Sequence, residues 1–329
     1  MTTSGPDTSS EMLKGLEEFI REAASHSSDP HPVKPSHRVP FHWPPHPVSK
    51  DFHVLASDWT GHASFEAYGE EFEVEVARTA QGVFGRVEKI WNEARAETLE
   101  QVIELLKTGA EPFLARQRLI TKTLGAEKRF QGRVSDLEAL DLVKLLFCPD
   151  RDVAHEAQVT IETHASSGIY SRSLIRILVD DQHPHRRSAQ WCVLDMFEDL
   201  PSFCPEPAAQ AEAVDAIHKL IKDAQDDYAR TIYKAGVVLG GHVCTPAAAE
   251  ALFDCTSSAF KFGRRSAIHA VFHLAEWMPQ YRDRIVATLK QCADKDPESS
   301  LREFAASMAR DVEAKSYDHM TEPLFPEEA

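Results

Sequence analysis

The stretch Arg264-Arg265-Ser266-Ala267-Ile268-His269-Ala270-Val271-Phe272-His273-Leu274-Ala275-Glu276 decides the architecture. Ala267, Ala270, Val271, Leu274 and Met278 share one face at helical spacing, and the small Ala residues let neighbouring helices approach closely. On the opposite side Arg265, His269, His273 and Glu276 fall within about an 80° arc at 3.6 residues per turn. The opening of this helix has counterparts elsewhere: His155-Glu156-Ala157, Arg186-Arg187-Ser188-Ala189, Ala229-Arg230-Thr231-Ile232 and Leu301-Arg302-Glu303-Phe304. Their apolar residues Ala157, Ala189, Ile232, Ala267 and Phe304 recur at intervals of 32, 43, 35 and 37 residues. Irregular spacing near this length marks two-helix arrays with variable loops.

Each landmark follows a turn rich in Asp, Pro or Gly: Cys148-Pro149-Asp150, Asp180 to Pro184, Asp223 to Asp227, Phe262-Gly263 and Asp294 to Pro297. Before each turn runs an apolar-periodic helix: Leu137 to Phe147, Ser173 to Val179, Ala209 to Ile221, Ala247 to Phe253 and Ile285 to Leu289. One helix pair cannot bury its apolar stripe alone, so neighbours stack and share a continuous core. A weaker sixth unit precedes these: Leu99 to Leu106, a turn at Thr108 to Pro112, then Phe113 to Leu124.

The pattern between Asp136 and Glu313 resembles the HEAT-like repeat proteins, including the group named after phycobilisome lyases. The resemblance implies a mainly α fold, a HEAT-like α-solenoid of five to six two-helix repeats. It says little about function, because one solenoid architecture hosts many roles.

The chain divides into a Pro/His-rich N-terminal arm (1–50), a β-hairpin with a capping helix (51–97), the solenoid (98–315) and a C-terminal tail (316–329). Within the arm, Glu11 to Ala24 reads as a short amphipathic helix with Leu13, Leu16, Phe19 and Ile20 on one side. Seven prolines between Pro30 and Pro47 forbid regular helix beyond it. Phe65 and Ala67, then Phe72, Val74 and Val76, alternate with polar residues around Tyr68-Gly69, which signals a hairpin. Gly82-Val83-Phe84-Gly85 then breaks the chain before a helix from about Val87. The hairpin is expected to cover the open end of the array, because an uncovered terminal repeat exposes core.

The 329 residues carry a formal net charge of −16, which disfavours non-specific attraction to nucleic acid or anionic membranes. None of the six cysteines forms a CxxC pair, and most lie in or beside apolar runs, where a thiol acts as a small hydrophobe. A reducing cytoplasmic setting is the simplest expectation. Met1 to Ser10 lacks an apolar signal core, and no run is apolar enough for a transmembrane helix.

His269 and His273, one turn apart, with Glu276 a turn further on, have the spacing of a His/His/carboxylate metal site. Polar contact with a partner explains the same stripe without a metal. HEAT-like hydroxylases that hold two irons use repeated His-Glu dyads; only His155-Glu156 matches, so that chemistry is set aside. The stripe Arg187, Trp191, Asp195 and Glu198 resembles the solenoid alkylpurine DNA glycosylases. That resemblance implies that Asp195 stabilises a cationic sugar, Trp191 stacks on the base and Arg230 reaches a phosphate. The strong negative charge stands against it, and Asp195 pairing with Arg187 or Lys234 is the plainer expectation. The recurring arginines suggest a ladder of turn-Asp to helix-Arg pairs: Asp181 with Arg187, Asp226 or Asp227 with Arg230, and Asp296 with Arg302. The scattered His26, His31, His37, His42, His46, His53 and His62 have no regular ligand spacing.

These observations point to a non-catalytic scaffold or adaptor, with no cofactor, that binds another protein in the groove of the solenoid. The lining residues are Arg187, Trp191, Asp195, Arg230, Lys234, Arg265, His269, His273, Glu276 and Arg310. A repair glycosylase using Trp191 and Asp195, a single-metal enzyme, and a chaperone or lyase for a cofactor-bearing protein are the alternatives. The Pro-rich arm is expected to lie in the groove of its own or a neighbouring chain.

Overall fold

A computed structural model describes residues 8–26, 61–67, 69–79, 81–90, 92–164, 167–224 and 229–317. Among them the protein is mainly helical, with one four-stranded antiparallel sheet. The proline-rich part of the arm, the tail beyond 317, Tyr68 of the hairpin turn and the Asp226 and Asp227 ladder partners lie outside the described residues. The chain forms two compact units, one of residues 33–131 and one that joins 1–32 to 132–329.

In the first of these units the strands β1 (Gly61–Ala67), β2 (Glu70–Thr79), β3 (Gly82–Val87) and β4 (Asn92–Ala96) form a meander in sequence order. The hairpin is present, with Phe65 opposite Phe72 and Ala63 opposite Val74. The helix expected from about Val87 is not: a three-residue 3-10 turn, Glu88–Ile90, leads into β4. Gly82-Val83-Phe84-Gly85 is therefore strand. Gly82, at φ +115, makes the tight turn, and Gly85 has no Cβ because Val102 of the covering helix occupies that space.

That helix, α2 (Leu99–Leu124), is continuous where the sequence suggests a turn between two repeat helices. Thr98 and Gln101 form a capping box at its start, and Gly125, at φ +67, ends it in the left-handed conformation. Gly109 leaves room for the Asn92 side chain, which donates to the Leu106 carbonyl at 2.8 Å. The Gly that looks like a breaker thus serves packing against the sheet, and Pro112 sits exposed inside the continuous helix. Val102, Leu106, Ala110 and Leu114 join Phe65, Phe72, Val74 and Val87 in one core. The sixth repeat is absent: this helix belongs to the sheet unit.

In the other unit, α1 (Thr8–His26) buries Met12, Leu16 and Ile20. Gly15 lets it seat against Leu140: a Cβ there would lie 2.6 Å from the leucine methyl. It packs on α3 (Ala139–Leu145) and α5 (Ser171–Leu178), so the amphipathic segment assigned to the arm is part of the helical core. Apart from the four-residue helix Leu200–Phe203, the remaining helices come in touching pairs: α3 with α4 (Arg151–Thr163), α5 with α6 (Arg186–Met196) and α7 (Pro207–Lys222) with α8 (Ala229–Val237). Then follow α9 (Pro246–Cys255) with α10 (Lys261–Trp277), and α11 (Arg282–Lys295) with α12 (Ser299–Ala314). The second members also touch in succession, α4 to α6, α6 to α8, α8 to α10 and α10 to α12. Ala157, Ala189, Ile232 and Ala267 are all fully buried between them. Phe304 departs from this series: it is half-buried, and Ala305 takes the core position.

Phe262 and Gly263 lie inside α10 rather than in a turn. Gly263 serves close approach, because a Cβ would run into the Ile221 carbonyl at the end of α7. The ladder also differs by one position from its expected register. Arg264, not Arg265, crosses to the next turn, donating from Nε to Asp296 Oδ2 at 2.7 Å and from Nη2 to Oδ1 at 3.2 Å, both residues being buried. Arg302 donates to the Asp296 backbone carbonyl at 2.7 Å. Asp180 rather than Asp181 organises its turn, accepting from the Gln182 N–H at 2.9 Å and from that of His183.

The six cysteines form no disulfide. Among the described residues no helix is long and apolar enough to cross a membrane.

Candidate functional site

The side chains singled out in the sequence sit on the succession α4, α6, α8, α10 and α12. The close contact of α8 with α10 sets the geometry. Gly236 and Gly240, one turn apart, face Ser266 and Ala270, also one turn apart, and a Cβ on either glycine would strike that helix. Ser266 Oγ donates to the Ile232 carbonyl at 2.7 Å across the same seam. Beyond Gly236 the helix widens into a π-helical turn, Val238–Val243, a feature that often accompanies functional surfaces.

The first cluster joins α4, α6 and α8. Lys234 Nζ donates to Asp195 Oδ1 at 2.7 Å and also pairs with Glu198. Gln158 Nε2 donates to the other Asp195 oxygen at 2.8 Å, and His242 stands 3.7 Å from Glu198. Burial alone would raise the Asp195 carboxyl, but the bonds from Lys234 and Gln158 hold it below the usual carboxylate range. Burial would likewise lower Lys234, and its two carboxylate partners hold it above the usual value. Beside this ion pair the Trp191 ring lies half-buried. The exposed Arg230 guanidinium stands over it at 4.7 Å and Lys234 Nζ at 5.5 Å. Such cation–π contacts contribute about 0.5–1 kcal/mol each where exposed.

The second cluster joins α8, α10 and α12. His269, buried, stacks on Tyr233 with centroids 4.7 Å apart, and its Nε2 lies 3.0 Å from the Tyr233 hydroxyl. The half-buried His273 brings its Nε2 to 3.1 Å from that of His269. Phe304 stacks on His269 at 6.5 Å, and Arg265 lies over Phe304 at 5.1 Å.

Seven of the ten proposed residues therefore fall into these two clusters. Arg187 bonds to Gln190 at 2.9 Å, and Gln190 in turn donates to the carbonyls of Ile177, Leu178 and Asp180, so this arginine supports the α5–α6 turn. Glu276 and Arg310 are exposed on α10 and α12. No three His, Cys, Asp or Glu side chains converge as a metal set among the described residues, so Glu276 does not complete a site with the two histidines. Gln158, Tyr233 and His242 join the clusters without having been singled out, and Phe304, marked in the sequence only as an apolar landmark, joins them as well. Tyr233, between Arg230 and Lys234, has the helical spacing to face α10. Nothing local in the sequence marks Gln158 as a partner of Asp195.

Both oxygens of Asp195 are engaged, so the glycosylase chemistry that the Trp191–Asp195 spacing suggests would begin by breaking the bonds to Lys234 and Gln158. Comparison of the chain with protein-family models, with curated proteins and with solved structures returned no match.

Proposed function

We propose that α3 to α12 form a HEAT-like α-solenoid and that the face built from α4, α6, α8, α10 and α12 binds a protein partner, making this chain a non-catalytic scaffold or adaptor. The observation that carries this reading is the Trp191–Arg230 pair: a half-buried indole with an exposed guanidinium stacked on it, held in place by the Lys234–Asp195 bond beside it. Trp and Arg are the residues on which binding energy concentrates at interfaces, above all when they are preorganised. The mixed charge of the face, with Arg230, Arg265 and Arg310 beside Asp195 and Glu276, suits a polar peptide or folded protein. A net charge of −16 works against nucleic acid.

Site-specific photo-crosslinking tests the placement. A photoreactive side chain at position 230 should capture a discrete protein from native lysate, whereas one at Lys219, exposed on α7, should not. Equal capture at both positions would overturn the proposed face.

A further inference from the structure

Nε2 of His269 makes two contacts at once, with the Tyr233 hydroxyl at 3.0 Å and with Nε2 of His273 at 3.1 Å. A ring nitrogen carries either one N–H or one in-plane lone pair, so it cannot make both as well-aligned hydrogen bonds. The two imidazole rings stand at 85°, with centroids 4.4 Å apart. A straight N–H···N bond would separate the centroids by the bond plus a ring radius on either side. The separation is shorter than that, so the ring axes are bent away from the line between the two nitrogens. Donor atoms bound to one small ion at about 2.0–2.1 Å lie about 3–3.4 Å from each other, close to the separations observed.

We infer that Tyr233, His269 and His273 form a binding site for a single divalent transition-metal ion of the Zn²⁺ type. Two neutral imidazoles suit Zn²⁺, Cu²⁺ or Ni²⁺ and give Mg²⁺ and Ca²⁺ little to bind, and the Tyr233 oxygen would join them as the phenolate, releasing its proton to solvent on binding. The sequence pointed to Glu276 as the third ligand; the fold brings Tyr233 there instead, because Gly236 and Gly240 let α8 close onto α10. Stacking of His269 on Tyr233 and Phe304 restricts the donor geometry before any ion arrives. His273 is half-exposed, which leaves an entry side and room for water ligands. The Arg265 guanidinium over Phe304 places a positive charge beside the site that the donors must outweigh.

The test is titration of the full chain with ZnCl₂, followed by calorimetry and by thermal unfolding. The wild type should bind one tight equivalent that raises Tm, since a ligand of the native state stabilises it by mass action. EDTA should reverse the shift. His273→Ala should lose that equivalent and the Tm shift while keeping its helical circular dichroism, and Tyr233→Phe should bind at least tenfold more weakly. The histidines between 26 and 62 remain in both variants, so looser binding by them leaves the comparison intact. Equal stoichiometry and affinity in wild type and His273→Ala, or no stoichiometric binding by the wild type, would overturn the site. Undiminished binding by Tyr233→Phe, or an equal Tm shift with MgCl₂, would overturn the three-donor set.

Discussion

Lys234 on α8 holds two carboxylates at the end of α6 at once, donating to Asp195 at 2.7 Å and pairing with Glu198. This one ammonium ties α6 to α8 and keeps the wall beside Trp191 rigid. Lys234→Met would leave two carboxylates facing each other. The cost is roughly 1–2 kcal/mol, because the carboxylates are about a third exposed and water screens them. The pH dependence follows from the directions of the shifts. Asp195 is held below its usual value, so its contribution is present above about pH 3.9, the unfolded carboxylate value, and is lost as the pH falls below that. Lys234 is held above its usual value, so its contribution disappears only as the pH rises through the high alkaline range. Urea unfolding at pH 7 and pH 3 should therefore show a gap between wild type and variant that narrows in acid.

Arg264 and Asp296 are the counter-example, a pair almost fully removed from water. Removing one partner leaves the other charge buried, which typically costs about 3–5 kcal/mol. Asp296→Ala should lose stability on that scale in urea unfolding, and exposed Asp181→Ala should change it by less than about 0.5 kcal/mol. Similar losses in both variants would contradict a buried ladder at this position.

The adjacent glycines of the π-helical turn after α8 make a sharper steric prediction. Gly240→Ala places a methyl against the Ala270 carbonyl and must push the two helices apart, at a cost of about 1–3 kcal/mol. Gly241→Ala meets nothing within 4 Å and should be neutral or slightly stabilising. Thermal denaturation of the two variants, one residue apart, separates close packing from a general need for flexibility.

His183 reports on the seat of α1. Its ring lies 4.4 Å from Phe147 and 5.7 Å from Phe19 of α1, and its Nδ1 accepts from the His185 N–H at 3.1 Å. Burial, reinforced by the nearby charges of His185 and Arg186, pushes it down to about 3. A histidine held neutral contributes stability above its unfolded value near 6.5 that is lost as the pH falls towards 3. NMR titration should show His183 neutral at pH 5, and the exchange protection of α1 should weaken as the pH drops from 6.5 towards 4. An imidazole that charges near pH 6.5 would contradict the buried seat.

The sequence was most legible where packing repeats. Ala157, Ala189, Ile232 and Ala267 are fully buried on α4, α6, α8 and α10, where close helix contact demands a small or shape-matched residue; Phe304 on α12 is the exception. It was least legible at glycines. Gly85, Gly109 and Gly263 read as chain breaks, yet each lies within a strand or helix where a side chain or carbonyl of a neighbour fills the missing Cβ position. A local pattern cannot distinguish a glycine needed for a turn from one needed for contact. The same limit hid the sheet unit, whose α2 carries both Gly109 and Pro112, and it hid the docking of α1 on α3 and α5 across more than a hundred intervening residues. At the candidate site, helical spacing grouped Arg265, His269 and His273 on one stripe. Gln158, Tyr233 and Phe304 came from neighbouring helices and depended on how those helices pack.

The most direct measurement of the central claim is quantitative capture from native lysate by the wild-type chain and by Trp191→Ala/Arg230→Glu, with circular dichroism and Tm matched beforehand. A specific protein retained by the wild type and lost by the folded variant is the predicted result. The same protein retained in equal yield by both would contradict a binding face centred on Trp191 and Arg230.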